Sequence, residues 1–217
     1  GVLEDKGTII TSNLPKTNLF TSVLNYAWKI DNNQTLKVFV DYLSQRNSAK
    51  RTTQSIYSVG NFEDTFEKYE SEANATSFSL QTDYTLQLSK KTKIATGFKY
   101  GVIDKGTDLL TEYAVQNNFR TDPNRTTSLA YKEKISAGYV SVSSDITARD
   151  FLKFGVRIEN TNLNRLNNYT DALVQQNYTN WFPSVFYSRK LSTTQSVSAS
   201  YSRSLKRPSF QLLSNEI

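Results

Sequence analysis

Arg157 and Glu159 stand two residues apart in a run that alternates apolar and polar side chains, so both face the polar side of one strand. A guanidinium and a carboxylate so placed can grip a polar ligand or another chain segment, or close a structural ion pair across neighbouring strands. Lys99 and Asp83 hold polar positions in an earlier pair of alternating runs. Tyr113, Phe119, Tyr169 and Tyr178, with Phe62 and Tyr69, lie in polar stretches, where rings either hold a ligand or pack locally under a loop. Glu63, Asp64, Glu67, Glu70 and Glu72, interrupted by Lys68, offer oxygen ligands. They lack the fixed spacing and the glycine of a calcium loop, so a solvated loop is expected. Arg203 and Arg207 flank a polar strand end and read as a solvated cluster. Covalent chemistry is poorly provided for: the chain has no His and no Cys. A Ser-His-Asp triad, a thiolate metal site and a disulfide are therefore unavailable. No phosphate-cradling glycine loop and no paired catalytic carboxylates stand out, so the chemistry expected is binding, with no enzyme activity and no cofactor.

The elements that must position these residues are strands. In 217 residues the hydrophobic share is 37%, low for a soluble domain, while aromatics reach 12%, a balance that favours β structure over a helical bundle. The net charge of +6 is scattered, with short clusters at Lys90-Lys91-Lys93, Lys132/Lys134 and Arg203/Lys206/Arg207. Nucleic acid would need a coherent basic stripe, so no nucleic-acid partner is expected. No apolar run is long enough for a transmembrane helix, and Gly1–Lys6 lacks the apolar core of a signal peptide. With no Met in the chain, a mature or excised segment is expected.

Ser77–Tyr100 shows the pattern most clearly. Phe78, Leu80, Tyr84, Leu86 and Leu88 share one face of a strand, and Ile94, Phe98 and Tyr100 one face of the next, around a turn at Ser89-Lys90-Lys91. Gln81, Asp83, Gln87, Lys93 and Lys99 fall on the other face. Similar strands are predicted over Asn18–Ile30, Leu36–Leu43, Tyr131–Ser143, Phe151–Glu159, Trp181–Arg189 and Gln195–Leu205, with residues 1–15 and 211–217 irregular. Connections alternate short (31–34, 89–91, 145–150, 191–194) and long (45–75, 104–128, 161–179). Such sorting suits an up-and-down membrane barrel with tight turns on one side and long loops on the other. Trp28, Tyr84, Tyr100, Trp181, Tyr187 and Tyr201 would then supply interface aromatics. A soluble or cell-surface β-sheet module for binding or adhesion, with the aromatics in its core, is the other reading of the same pattern.

Three stretches carry a family resemblance. Phe154–Thr161 is similar to a "G-L-R-x-E-x-T" strand, Asn180–Val185 to an "l-F-P-S" strand start, and Tyr201–Phe210 to a "Y-S-R-x-x-x-R-P-S" segment. Together, in this order, they resemble the outer-membrane β-barrel family of TonB-dependent-receptor-like proteins, over about residues 18–213. The resemblance implies an all-β, antiparallel up-and-down meander of about eight to ten strands, a single segment over residues 1–217 of a larger barrel in the bacterial outer membrane. It implies binding and transport of a nutrient such as an iron chelate, a glycan or a peptide. Arg157, Glu159, Lys99, Asp83, Tyr113, Phe119, Tyr169 and Tyr178 would be its lumen and ligand candidates. The implied partners are outer-membrane lipid, the rest of the barrel and its plug, a periplasmic energy-coupling protein reached through an N-terminal part, and a surface lipoprotein.

Overall fold

Side chains that alternate in character every second residue cannot segregate on a helix, but they do on a strand. The computed structural model, which describes residues 7–57, 64–115 and 118–205, is accordingly all strand and turn. Nine strands follow one another: β1 (Gly7–Lys29), β2 (Gln34–Tyr57), β3 (Thr65–Gln87), β4 (Thr92–Val115), β5 (Asn118–Thr121), β6 (Thr127–Asp145), β7 (Asp150–Asn167), β8 (Ala172–Lys190) and β9 (Ser196–Ser202). They form one antiparallel sheet in the order β1-β2-β3-β4-β6-β7-β8-β9, with β5 a short flap on β4. The meander of about eight to ten strands expected from sequence is therefore what the chain builds.

The short turns fall where the turn residues predict. Asp31 Oδ1 accepts from the Asn33 N–H at 2.7 Å, and the Ser89 and Thr92 backbones exchange bonds of 3.1 and 3.3 Å around Lys90-Lys91. Thr147 and Ser192 brace the other two turns through their hydroxyls.

The long connections are a correction. Residues 45–57, 65–75, 104–115 and 161–167 continue the ladder without a break instead of forming loops. Among the described residues only short tips remain, such as 168–171, where Asn167 Oδ1 accepts from the N–H groups of Tyr169 and Thr170 and Asp171 takes a left-handed φ of 55°. Apolar alternation vanishes in these extensions because both faces are polar, yet cross-strand charge pairs bind them. Arg46 meets Glu72 at 3.1 Å, Lys50 meets Glu70 at 2.9 Å, and Lys132 meets Asp104 at 3.2 Å. The acids at Glu67, Glu70 and Glu72 thus belong to β3 and not to a solvated loop. Residues 7–15, also expected to be irregular, pair with 49–57 as part of β1. Glu63, Phe62 and residues 211–217 lie outside the described residues.

The sheet is curved. Residues on β3, β4, β6, β7 and β8 enclose a common hollow on one face, and the deepest side chains, Thr161 at 0% exposure, Thr111 at 1% and Ala137 at 2%, lie on that same face. On the convex face the register lines up an uncharged belt: Trp28–Leu36–Tyr84 near the turns, Tyr26–Val38–Thr82–Phe98–Gly138–Ile158–Trp181 across the middle, and Tyr42–Phe78–Val102 beyond. On β3 and β4 this belt runs from Phe78 to Leu86 and from Ile94 to Val102. Eight residue steps at the usual strand rise are about 26 Å along the strand, close to the height of a membrane barrel's apolar band. Beyond it the convex face turns polar at Ser44, Thr76 and Asp104, and on β6 to β8 the boundary comes earlier, at Lys134 opposite Val102 and at Ser136, Asn160 and Thr179 level with Tyr100, so that Trp181 is the last belt residue of β8.

Candidate functional site

The concave face carries the other half of every alternating run. Its central rung reads Lys37–Asp83–Gly97–Tyr139–Arg157–Phe182 across six strands. The next rung away from the short turns reads Gln81–Lys99–Ala137–Glu159–Asn180. A hollow of about 490 Å3 opens here, with Asp83, Thr85, Tyr139, Lys153, Arg157, Phe182 and Ser184 in its lining. Glycine at position 97 shapes it. A Cβ there would collide with the ring and hydroxyl of Tyr139 and with the Thr82 carbonyl oxygen. The bare backbone lets the tyrosine lie against the wall.

Arg157 donates from Nη2 and Nε to Glu159 Oε2 at 2.7 and 3.2 Å. The Glu159 side chain is 7% exposed and that of Arg157 31%, so the carboxylate is sunk in the wall and the guanidinium faces the hollow. Gln81 Nε2 donates to both Asp83 carboxylate oxygens at 3.1 Å. A smaller cavity of about 240 Å3 lies beside this pair, walled by Phe182, Arg203, Ser204 and Leu205. This arrangement offers fixed charges, hydroxyls and an aromatic face to a polar solute. It holds no nucleophile–base pair.

Of the candidates singled out from sequence, Arg157, Glu159, Lys99 and Asp83 come together on this face. Tyr113 and Tyr178 share the face but lie farther from the short turns, opposite Glu67 and Thr161 respectively. Tyr169 sits exposed in the β7–β8 tip. Phe119 does not join them. β5 folds back on β4 so that its ring packs edge-on against Phe66, centroids 5.5 Å apart, with Lys68 Nζ 3.5 Å above it, all on the convex side. Tyr139, Lys153, Phe182 and Ser184 were not anticipated. A glycine on the polar face of a strand, as at Gly97 and Gly155, was the available signal that a neighbour lies close.

Near the far tips, Arg125 reaches across β4 to grip Glu67 in a two-pronged pair at 2.8 and 3.2 Å. The Arg125 hydrogen bonds hold the Glu67 carboxyl below its ordinary pKa, and Glu67 raises that of Arg125. Arg51 stacks over the Tyr69 ring at 4.7 Å. The convex-face aromatics Trp28, Tyr84 and Tyr187 lie near the short turns, Tyr100 and Trp181 near the far edge of the belt, and Tyr201 on β9. Tyr84 donates to Gln34 Oε1 at 2.6 Å and Tyr187 to Asp150 Oδ1 at 2.7 Å, so both keep a polar partner while the ring faces outward.

An antiparallel meander with an uncharged belt across one face and a charged, hollowed face behind it is the architecture of a membrane β-barrel wall. The model of the outer membrane protein beta-barrel family matches residues 28–215, and the chain belongs to that family. It is thus a protein of the bacterial outer membrane, and the three motif stretches lie inside the matched region. No curated protein matches the chain. Among solved structures it is similar to the ferric citrate transporter FecA in unliganded form, at 12% identity and a TM-score of 0.48, covering 85% of this chain and 35% of that one. It is also similar to FpvAI from its complex with pyocin S2 (12%, TM-score 0.46, covering 88% and 36%). A third is the alcaligin outer membrane receptor FauA from Bordetella pertussis (9%, TM-score 0.38, covering 87% and 35%). The chain spans about a third of the length of these structures.

Proposed function

We propose that this chain is a wall segment of a TonB-dependent-receptor-like barrel that binds a nutrient ligand and passes it across the outer membrane. The supporting observation is the division of labour between the two faces. The convex belt presents no charge to lipid from Phe78 to Leu86 or from Ile94 to Val102, while the concave face behind it gathers Asp83, Lys99, Arg157 and Glu159 on two adjacent rungs, with Asp83 and Arg157 lining a hollow. Trp28, Tyr84 and Tyr187 act as the girdle on the turn side and Tyr100 and Trp181 as the girdle on the far side. The turns sit in the periplasm, and the polar strand extensions rise outside the cell as a rigid collar for capture. Within it, the Arg51–Tyr69 stack, Tyr113 and Tyr178 face the inside, where an incoming ligand would pass. The rest of the barrel, its plug and a periplasmic energy-coupling protein complete the device in this reading.

The test is growth of a deletion strain and its complemented parent on single limiting nutrients: iron chelates, glycans and peptides. The expected result is loss of growth on one class, restored by the full-length gene and abolished again by an uncoupler of the inner membrane. Equal growth on all classes, with no ligand retained by the purified full-length protein, refutes it.

A further inference from the structure

At the short-turn end, the concave wall carries a lysine on five strands: Lys29 on β1, Lys37 on β2, Lys93 on β4, Lys153 on β7 and Lys190 on β8. Each occupies one of the first two inward positions counted from its turn. The same positions hold one carboxylate, Asp145. All five lysines are exposed, and none makes an ion pair among the described residues. Several cations on the other face are paired. On the convex face Arg46, Lys50, Lys132 and Arg189 each have a carboxylate within 4 Å. Lys29, Lys93, Lys153 and Lys190 therefore stand without a paired counter-charge on the side where the passage would empty, and Lys37 has Asp83 as its register partner without an ion pair to it.

We infer that the periplasmic mouth of the lumen is an anion-attracting ring, and that the solute passing this wall carries carboxylate or phosphate groups. The inference rests on the transport reading above and gives its ligand a charge class. Rings of Lys or Arg are how a pore favours anions, because like charges repeated around a curved wall add their potentials at the centre. The hollow immediately beyond the ring suits the same class. Lys153 and Arg157 line it on one side, with the Tyr139, Thr85 and Ser184 hydroxyls nearby, and Asp83 is the acid of its lining. An anion drawn to the ring meets hydrogen-bond donors, and Asp83, already engaged by Gln81, offers the weak repulsion that lets it leave.

The probe is pyranine, a trisulfonated dye, titrated by anisotropy against full-length protein in non-ionic detergent at low salt. Two charge-matched variants discriminate: Lys93→Gln with Lys153→Gln, which neutralises inward lysines, and Lys90→Gln with Lys91→Gln, which removes the same charge from the adjacent turn. The inward pair is expected to weaken dye binding about fivefold and to flatten its salt dependence, and the turn pair to change it less than about twofold. Lys93→Arg with Lys153→Arg retains binding and excludes a folding defect, as does an unchanged folded-barrel mobility on an unheated gel. Equal effects of the two Gln pairs, or none from the inward pair, overturn the inference. Selective loss of dye binding from the inward pair, with no nutrient phenotype for the deletion strain, leaves the anion ring standing and removes the transport reading alone.

Discussion

Replacing Phe98 with Arg places a guanidinium at the centre of the lipid-facing belt. Phe98 is 45% exposed, stands midway between Ile94 and Val102, and has Thr82 and Gly138 as register partners, so no carboxylate is near it on that face. A cation at the midplane of a barrel's lipid face costs about 2–4 kcal/mol. Two controls fix the meaning of that number. Leu86→Arg lies on the same face but one residue from the end of β3, at the level where such a cost falls to about 0–1 kcal/mol. Gln81→Arg lies at the depth of Phe98 but faces inward. There the new guanidinium takes over the Gln81 hydrogen bonds to Asp83, offset by Lys99 opposite, for a net change within about 1 kcal/mol. Full-length variants are refolded into lipid vesicles and titrated with urea, following the fluorescence of Trp28 and Trp181, both on the convex face. The expected order of destabilisation is Phe98→Arg first, then Leu86→Arg, then Gln81→Arg. A Gln81→Arg loss as large as that of Phe98→Arg would show the faces to be assigned wrongly, and equal losses at Phe98 and Leu86 would refute the position of the midplane.

Gly97→Ala should destabilise the wall by about 1–3 kcal/mol, because the Thr82 carbonyl oxygen cannot step aside as the Tyr139 ring can. Gly101→Ala, also inward but with its nearest neighbour, the Phe78 oxygen, 3.8 Å from the new carbon, should be nearly neutral in the same urea titration. Arg157→Met leaves the sunken Glu159 carboxylate without its two hydrogen bonds from the guanidinium, at a cost of about 1–3 kcal/mol in the same urea titration. The Glu67–Arg125 clamp lowers a carboxyl pKa in the folded state, so its contribution is present above the ordinary glutamate value of about 4.3 and is lost as pH falls through the lower folded value. Hydrogen exchange at Thr111 and Thr126 should therefore be flat from neutral pH to about pH 5 and accelerate below about pH 4 once corrected for intrinsic rates. Glu67→Gln should show the accelerated rate at neutral pH.

What the sequence made legible follows from where water and lipid meet the chain. In Ser77–Tyr100 one face is lipid-bound and the other wet, so alternation is strong and both strands, the turn and the inward set of Gln81, Asp83, Gln87, Lys93 and Lys99 come out as the structure has them. Beyond Phe78 both faces are polar. Glu70, Glu72, Arg46 and Lys50 then look like loop residues, although they pair across a continuous ladder. Hydrophobic periodicity reports a solvent difference between faces, and it falls silent where that difference ends even when the strand does not. Phe119 was misplaced for a related reason: a four-residue strand that pairs back on β4 and ends at a turn at Asp122–Arg125 sets its own facing, which the distant pattern does not fix. The hollow was half visible. Its charges lie two residues apart along strands, but Tyr139 meets Gly97 across strands 42 positions apart in the chain, a register that only the assembled ladder supplies.

The inward charges also specify the fold that displays them. Lys37 stands between Leu36 and Val38, Lys99 between Phe98 and Tyr100, Lys153 between Leu152 and Phe154, and Arg157 between Val156 and Ile158. Because the strand period is two, a one-residue slip of β4 would turn Lys99 into lipid near mid-belt and bring Phe98 and Tyr100 into the wet interior. The cation alone would cost about 2–4 kcal/mol, several times what a single cross-strand pair contributes. A shift of two residues keeps the facing, but it drives the Tyr139 ring off Gly97 and onto Ala95 or Lys99, where a side chain already occupies the wall. Charges forbid the odd slips and the glycine–tyrosine contact disfavours the even ones. The same inward residues that would meet a passing solute thereby hold the wall in the one register that gathers them.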